Sequence, residues 1–144
     1  MKKTRPCGFT LIELMLVLVI IGILSALAVS AWQGQIVRAR RLDAEASLVE
    51  LAGWLERNAA ASGRYDLDPA GVSTVLPFTV TPRTGTPQYD LALTAGALTA
   101  GAATFTLTAT PRDGRDPECA VLGLDATGSK TATGTSGAAV CWSP

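Results

Sequence analysis

One carboxylate stands out among the residues of this chain that could do chemistry. Glu13 is the only ionisable side chain in an almost unbroken apolar stretch that runs from Phe9 to about Trp32. A carboxylate in hydrocarbon is strongly destabilised unless another group neutralises it. We therefore interpret Glu13 as a functional residue, the alternative being a side chain that reaches back to the membrane surface near its helix end.

The composition excludes most other chemistry. The 144 residues contain no His, three Cys, and 12 Lys and Arg against 12 Asp and Glu, for a net charge of zero. Without His the chain cannot use a Ser–His pair or a His-ligated metal, and three Cys cannot form a four-thiolate metal site. Zero net charge disfavours a strongly basic nucleic-acid binder. We expect no enzymatic activity, no cofactor and no metal site.

A charged segment before Cys119 is the remaining candidate for ion binding. It contains two basic and three acidic side chains: Arg112, Asp113, Arg115, Asp116 and Glu118. Several oxygens in one loop suit calcium, but the spacing of these residues matches no EF-hand. We expect a solvated loop at this position.

The elements that position Glu13 begin with a membrane-spanning helix. About 20 apolar residues cross the roughly 30 Å hydrocarbon core of a bilayer, so residues 9–32 are long enough to span it. The basic side chains of Lys2, Lys3 and Arg5 favour a cytoplasmic N-terminus, which would send the rest of the chain outside. The alternative is a secretory signal peptide cleaved near residues 26–30. The length of the apolar stretch, its carboxylate and the helical pattern beyond it argue against that cleavage.

Beyond Trp32 the hydrophobic pattern changes from apolar on all faces to amphipathic. Apolar or small residues recur at steps of three and four, at Ile36, Ala39, Leu42, Ala46, Val49 and Gly53, and the stripe is widened by Leu48, Leu51 and Leu55. No Pro interrupts this pattern. One helix is therefore predicted from about Phe9 to about Ala60, ending near the stop signal of Ser62 and Gly63, with residues 33–62 as the amphipathic half that continues the anchor into a folded domain.

The residues around Glu13 resemble the processing motif of type IV prepilins and pseudopilins. The matching segment is residues 7–14, CGFTLIEL, with a basic leader before it and an apolar helix after it. In that family a membrane peptidase cleaves after the glycine and N-methylates the new N-terminal residue. The resemblance implies removal of residues 1–8 by cleavage after Gly8 and methylation of Phe9. It also implies that Glu13 serves assembly, by pairing with the Phe9 amine of a neighbouring subunit.

The same resemblance implies the partners and the location of the chain. The expected partners are other pilin subunits in a helical filament, the prepilin peptidase and the pilus assembly platform of the inner membrane. The chain would span the inner membrane once, with its head in the periplasm, before it assembles into an extracellular pilus.

The remaining residues, 63–144, predict a head that makes the chain α+β. Segments 89–94 and 104–110 alternate apolar and polar residues, and further strands fit residues 120–124 and 139–142, with a turn at residues 125–128 that leads into residues 130–132. We expect one antiparallel sheet of about four strands, lying over the amphipathic face of the helix so that both apolar faces are buried. This arrangement is the pilin fold that the resemblance implies.

Two cysteines remain once residues 1–8 are removed. Cys119 and Cys141 would lie in a head outside the cytoplasm, where disulfides persist. We predict that they pair across their separation of 22 residues, which is worth about 3 kcal/mol of loop entropy. The alternative is a reactive or metal-binding dithiol. The layout from Cys119 to Cys141 and Trp142 also resembles the disulfide region of minor pilins of the PilE class.

We therefore expect a structural subunit, a minor pilin of a type IV pilus that supports pilus biogenesis, twitching motility, adhesion or DNA uptake. A pseudopilin of a type II secretion system shares the same N-terminal features and is the first alternative. The second alternative is a pilus-associated DNA receptor. Beyond residue 60 the chain has five basic and seven acidic residues, which disfavours DNA binding unless Arg112, Arg115 and Lys130 gather on one face.

Overall fold

The computed structural model describes residues 8–99 and 102–143, so of the predicted leader only Gly8 is among them. The elements, in chain order, are α1 (Leu11–Ser62), β1 (Val80–Thr81), β2 (Tyr89–Thr99), β3 (Ala102–Pro111), a 3₁₀ turn (Arg112–Gly114), β4 (Leu122–Asp125), β5 (Lys130–Ala132) and α2 (Gly137–Cys141). The chain divides between Ile36 and Val37 into two compact units, here called the stem and the head. The predicted α+β class is confirmed.

The helix α1 is long because no proline interrupts its 52 residues. It stops before Gly63, whose φ of +79° is a left-handed conformation that glycine adopts without steric cost. The Gly63 N–H donates to the carbonyl oxygen of Ala59 at 2.7 Å, which satisfies one of the last carbonyls of the helix. The prediction of a single helix is confirmed, and the helix runs from Leu11 to Ser62.

In the stem, α1 exposes apolar side chains on all its faces. The side chains from Phe9 to Leu27 are exposed, that of Phe9 by 83%. The helix contains one stretch that is long and apolar enough to cross a membrane. Contact between so much apolar surface and water is unfavourable, so this segment requires lipid or other protein around it.

The head contains one antiparallel sheet with the strand order β1-β2-β3-β4-β5. In the central strands, Leu107 of β3 lies opposite Leu93 of β2 on one side and opposite Leu124 of β4 on the other. The prediction of an antiparallel sheet is confirmed, but the sheet has five strands where about four were expected. The strand missing from the sequence analysis is β1, because two residues are too few to show an alternating pattern.

The C-terminal segment is where the secondary-structure prediction was wrong. Residues 139–142, predicted as a strand, belong to α2 and its end, and the Trp142 N–H donates to the Ala138 carbonyl oxygen at 3.0 Å. Four apolar residues fit a strand and a helical turn equally well, and Ala favours the helix. The strand predicted from residue 120 begins only at Leu122, because Ala120 has a φ of +48°, outside the extended region.

The core of the head lies between α1 and the sheet. Its main residues on α1 are Ala44, Leu48, Leu51 and Leu55, and on the sheet they are Leu91, Phe105, Leu107, Ala109 and Leu122. A helix face therefore covers the sheet, as predicted, but of the predicted stripe only Leu48, Leu51 and Leu55 are buried. Leu42 is 40% exposed and Val49 is 55% exposed, and Ala39 and Ala46 are exposed as well. We call these four residues the outer stripe of α1.

Candidate functional sites

Glu13 lies in the first turn of α1 and takes part in capping it. The backbone N–H and the hydroxyl of Thr10 both donate to Oε2 of Glu13 at 3.4 Å, and the Glu13 N–H donates to the Thr10 hydroxyl oxygen at 3.3 Å. This reciprocal arrangement is a capping box, in which Thr is followed three residues later by Glu. Glu13 therefore has a local structural role, which any test of an assembly role must separate from its charge.

Gly8 and Phe9 precede α1 and are both exposed. A Cβ added at Gly8 would meet no heavy atom within 4 Å. Within the described chain, nothing shields the peptide bond between Gly8 and Phe9 from another protein. A substitution at Gly8 can therefore be made without a steric effect on the described structure.

Cys119 and Cys141 are joined by a disulfide, and both residues are buried. The bridge connects the segment before β4 to α2, with a Cα–Cα distance of 5.6 Å. Backbone hydrogen bonds reinforce this connection, since the Gly134 N–H donates to the Cys119 carbonyl oxygen at 3.1 Å and the Ser136 N–H to that of Glu118 at 2.9 Å. Gly134 lies so close to Glu118 that a Cβ at Gly134 would be 2.2 Å from the Glu118 carbonyl oxygen.

A buried ionic network, which the sequence analysis missed, connects α1 to the segment before Cys119. Arg41 donates to Asp116 from Nε at 2.9 Å and from Nη2 at 2.7 Å. The Tyr89 hydroxyl donates to the same carboxylate at 3.0 Å, and the Cys119 N–H does so at 3.3 Å. Asp116 is 3% exposed and Arg41 is 9% exposed. The network thus joins the helix, the sheet and the disulfide segment at one carboxylate.

The protonation states in this network follow from burial and contact. Burial alone would raise the pKa of Asp116, but the hydrogen bonds from Arg41 and Tyr89 and the charge of Arg41 bring it below its ordinary value. The hydrogen bond to Asp116 raises the pKa of Arg41, and burial, with the nearby carboxylate, raises the pKa of Tyr89. At neutral pH the network therefore contains one ionised pair and one neutral phenol, which fits a structural role.

The charged loop before Cys119 differs from its prediction at Asp116. The side chains of Asp113 and Glu118 are 66% and 71% exposed, as expected for a solvated loop. Asp116 is buried, because its oxygens accept hydrogen bonds from Arg41 and Tyr89. In residues 8–99 and 102–143, no three His, Cys, Asp or Glu side chains come close enough together to hold a metal ion.

Two of the three basic residues considered for a DNA site come together in the head. Arg112 and Arg115 line one small surface recess, with room for about one water molecule, and Arg40 of α1 lines it with them. We call it the arginine recess. Lys130 is not one of its lining residues and lies with its Nζ atom 5.0 Å from the centre of the Trp142 ring.

Known proteins are similar to this chain in its N-terminal motif and in much of the sequence that follows. Residues 30–123 match the family model of the type IV minor pilin ComP, DNA uptake sequence receptor, and residues 3–29 match that of the prokaryotic N-terminal methylation motif. Type II secretion system core protein G of Aeromonas hydrophila is 34% identical over 76 residues, and the chain spans about half the length of this relative, 53%. A solved structure of a type IV pilin from Shewanella oneidensis is 32% identical, with 74% of this chain and 98% of that chain covered and a TM-score of 0.48.

Proposed function

The chain belongs to the type IV minor pilins of the ComP family, and on that premise we propose that its stem anchors it in the inner membrane and then joins it to other subunits of a pilus. Pilins assemble with one another into filaments and are structural proteins, which agrees with the expected non-enzymatic role. The proposal is supported chiefly by the stem, which is an apolar helix exposed on all faces and has one carboxylate in its first turn.

The outer stripe of α1 supports assembly through the helix. Leu42 and Val49 lie in a row with Ala39 and Ala46 on a face that the sheet does not cover. Small and branched apolar side chains at helical spacing suit close packing against a second helix. A neighbouring subunit in a filament would bury this row together with the apolar surface of the stem.

Processing at Gly8 is the first step of the proposal. A peptidase would cleave the exposed bond before Phe9, and methylation of the new amine would follow. Replacement of Gly8 by Leu should leave an unprocessed precursor, because a side chain prevents close binding of the extended chain by the peptidase. Intact mass and N-terminal sequencing of the purified protein measure this directly. Mature protein of normal mass from Gly8→Leu would contradict the proposed cleavage site.

The charge of Glu13 is the second step, and the capping box makes its test more specific. Glu13→Gln removes the charge but keeps a side-chain oxygen for Thr10, since Gln also occupies this position in capping boxes. Glu13→Ala removes both. We expect both variants to be cleaved and neither to enter filaments, because each lacks the partner for the Phe9 amine of a neighbour. Normal incorporation of Glu13→Gln would show that capping, and not charge, is what assembly requires.

The proposed topology places the N-terminus in the cytoplasm and the head in the periplasm, where the disulfide persists. The prepilin peptidase and the assembly platform are the proposed partners in the inner membrane. N-terminal sequencing also tests the signal-peptide alternative, because cleavage near residues 26–30 would remove the stem. A secretion pseudopilus is separated from a pilus by gene deletion: loss of pili with intact secretion supports the proposal, and the reverse result contradicts it.

A second function, contact with DNA, is proposed because the matched family model is that of a DNA uptake sequence receptor. Among the basic residues of the head beyond α1, Lys130 is the one best placed for a phosphate. The head arginines beyond α1 each pair with a carboxylate, namely Arg64, Arg83, Arg112 and Arg115. In the described part of the chain Lys130 forms no such pair, and it lies beside an aromatic ring, that of Trp142. A cation next to an aromatic face suits a nucleotide.

A gel-shift titration of the full-length chain in detergent with a short duplex tests this second function. We expect retardation that weakens as salt is raised, and Lys130→Gln should reduce the slope of log affinity against log salt by about one. Lys130→Arg, which keeps the charge, is the matched control. Absence of retardation at low salt, or equal binding by Lys130→Gln, would contradict a DNA contact at this residue.

A further inference from the structure

The arginine recess combines three cations from two segments of the chain with two apolar residues. Arg40 comes from α1, Arg112 from the 3₁₀ turn after β3, and Arg115 from the residue after that turn. Val37 and Pro111 add apolar surface beside them. Guanidinium groups at the mouth of the recess can bind a phosphate group through paired N–H donors.

The carboxylates around the recess neutralise only part of its charge. Asp116 also lines it, but this carboxylate is held by two hydrogen bonds from the buried Arg41. Arg112 donates to Asp90 through Nε and Nη2. The pair of Arg115 with Asp113 is loose, at 3.6 Å with both side chains about two-thirds exposed, 64% and 66%.

Arg40 differs from the other two arginines of the recess. No carboxylate pairs with it in the part of the chain that the structure describes. Arg40 also lies in a long stretch without negative charge. Between Glu13 and Asp43 the chain has three arginines, Arg40 among them, and no acidic residue. An added anion in the recess would therefore meet Arg40 and Arg115 without having to displace a tight ion pair.

The chain itself keeps this recess close to the membrane surface. Val37, which lines the recess, follows Trp32 by five residues, and Trp32 ends the apolar stretch. Five residues span at most about 18 Å even when fully extended. Trp side chains favour the interface between lipid and water. In a membrane-anchored subunit, Val37 therefore cannot lie farther than about 18 Å from that interface, whatever the orientation of the head.

We propose that the arginine recess binds the phosphate of an anionic phospholipid headgroup, through Arg40 and Arg115, while the subunit is anchored in the membrane. The lipid would orient the head on the bilayer before assembly. This inference rests on the proposed membrane anchoring, and it assigns the recess to lipid where the second proposed function assigns Lys130 to DNA. Electrostatic attraction to an anionic surface predicts on the order of a fivefold gain in affinity per arginine.

Native mass spectrometry of the full-length chain released from detergent micelles tests the proposal. The chain is titrated with phosphatidylglycerol or with zwitterionic phosphatidylcholine, and the fraction carrying lipid is measured. We expect a preference for phosphatidylglycerol that falls by about 25-fold in Arg40→Gln/Arg115→Gln. The matched control is Arg57→Gln/Arg83→Gln, which removes the same charge from exposed residues that do not line the recess and should keep the preference.

Three results would overturn the proposal. The first is equal retention of phosphatidylglycerol by the wild type and Arg40→Gln/Arg115→Gln. The second is displacement of the lipid by an equal concentration of inorganic phosphate, which would make the recess a site for the free anion. The third is arginine-dependent binding of a DNA duplex that displaces the lipid.

Two further measurements keep the test independent of folding and of anchoring. Arg40→Lys/Arg115→Lys keeps both charges but loses the paired N–H donors, so its lipid preference should lie between those of the wild type and Arg40→Gln/Arg115→Gln; a preference as low as that of the glutamine variant would contradict the contribution of charge. Resistance of the wild-type protein to carbonate extraction from membranes measures anchoring. An extracted wild type contradicts the proposed function, whereas a resistant wild type without arginine-dependent lipid binding contradicts this inference alone.

Discussion

The buried pair of Arg41 and Asp116 should be strongly coupled energetically. Its side chains are only 11% and 4% exposed, and two hydrogen bonds join them. Removal of one partner leaves a buried charge without its counterion, which costs about 3–5 kcal/mol of unfolding free energy. Asp116→Ala also removes the acceptor for the Tyr89 hydroxyl, worth a further ~1 kcal/mol.

The double variant distinguishes coupling from the separate costs of the two substitutions. Arg41→Ala/Asp116→Ala removes both charges, so its loss of stability should fall short of the sum of the single losses by about 2–3 kcal/mol. The matched control is the pair of Arg83 and Glu50, whose side chains are 50% and 53% exposed. A solvated pair of this kind should show a coupling below about 1 kcal/mol.

Urea unfolding of the full-length chain in mild detergent, followed by near-ultraviolet circular dichroism, measures these free energies. The aromatic signal reports the head, because Tyr89 and Trp142 are buried there. A coupling between Arg41 and Asp116 no larger than that of the control pair would refute the argument, because burial would then add nothing to the interaction.

The same variants have a defined pH dependence. Because the pKa of Asp116 is lowered in the folded head, its contribution to stability is complete above its ordinary pKa, about 3.8. The contribution is lost as the pH falls from there through the lower folded value. Asp116→Ala should therefore lose less stability than the wild type between pH 5 and pH 2. An identical acid-induced loss in both proteins would contradict the assignment of the lowered pKa to Asp116.

Three smaller predictions concern neighbouring parts of the head. Oε1 of Glu45 is buried without a hydrogen-bond partner among the described residues. Burial raises the pKa of Glu45, although the charges of Lys130 and Arg41 act in the opposite direction. Glu45→Gln should therefore stabilise the head by ~0.5 kcal/mol at pH 7, and by progressively less as the pH falls towards 4.5. Gly134→Ala should lower the free energy of unfolding by about 1–3 kcal/mol, measured by thermal melts, because the added Cβ would clash with the Glu118 carbonyl. Gly53→Ala should raise it by up to ~1 kcal/mol, because Ala favours the helix and the added Cβ would lie 3.6 Å from the nearest atom, in Arg57. Labelling of the mature protein should find no free thiol until it is unfolded and reduced, and reduction of the Cys119–Cys141 bridge should cost about 3 kcal/mol; labelling of the native protein would contradict the pairing.

Local patterns were enough to predict the architecture of this chain. The helix α1 is visible in the sequence because apolar residues continue almost without a break from Phe9 and then follow a helical period up to Ser62. The strands β2 and β3 are visible because their residues alternate. The helix α2 and the strand β1 were not predicted correctly, since segments of five and two residues carry too little periodicity to identify.

The face of α1 that covers the sheet could not be identified from the helix alone. Two apolar stripes run along its second half, one through Leu48 and Leu51 and one through Leu42 and Val49. Each stripe satisfies the helical period, so periodicity does not decide between them. The sheet packs against the leucine-rich stripe. The outer stripe, with smaller side chains, stays exposed and can contact another subunit in the proposed filament.

The ionic network was missed because its members are distant in the sequence and ordinary in their local context. Arg41 and Asp116 are 75 residues apart, the first in a basic run and the second in a charged loop. One signal was nevertheless available. Arg41 lies three residues before Ala44 and seven before Leu48, which places it on the same helix face as the core residues. A charge on a buried face must find a counterion, so choosing the leucine-rich stripe would have predicted a buried partner for Arg41.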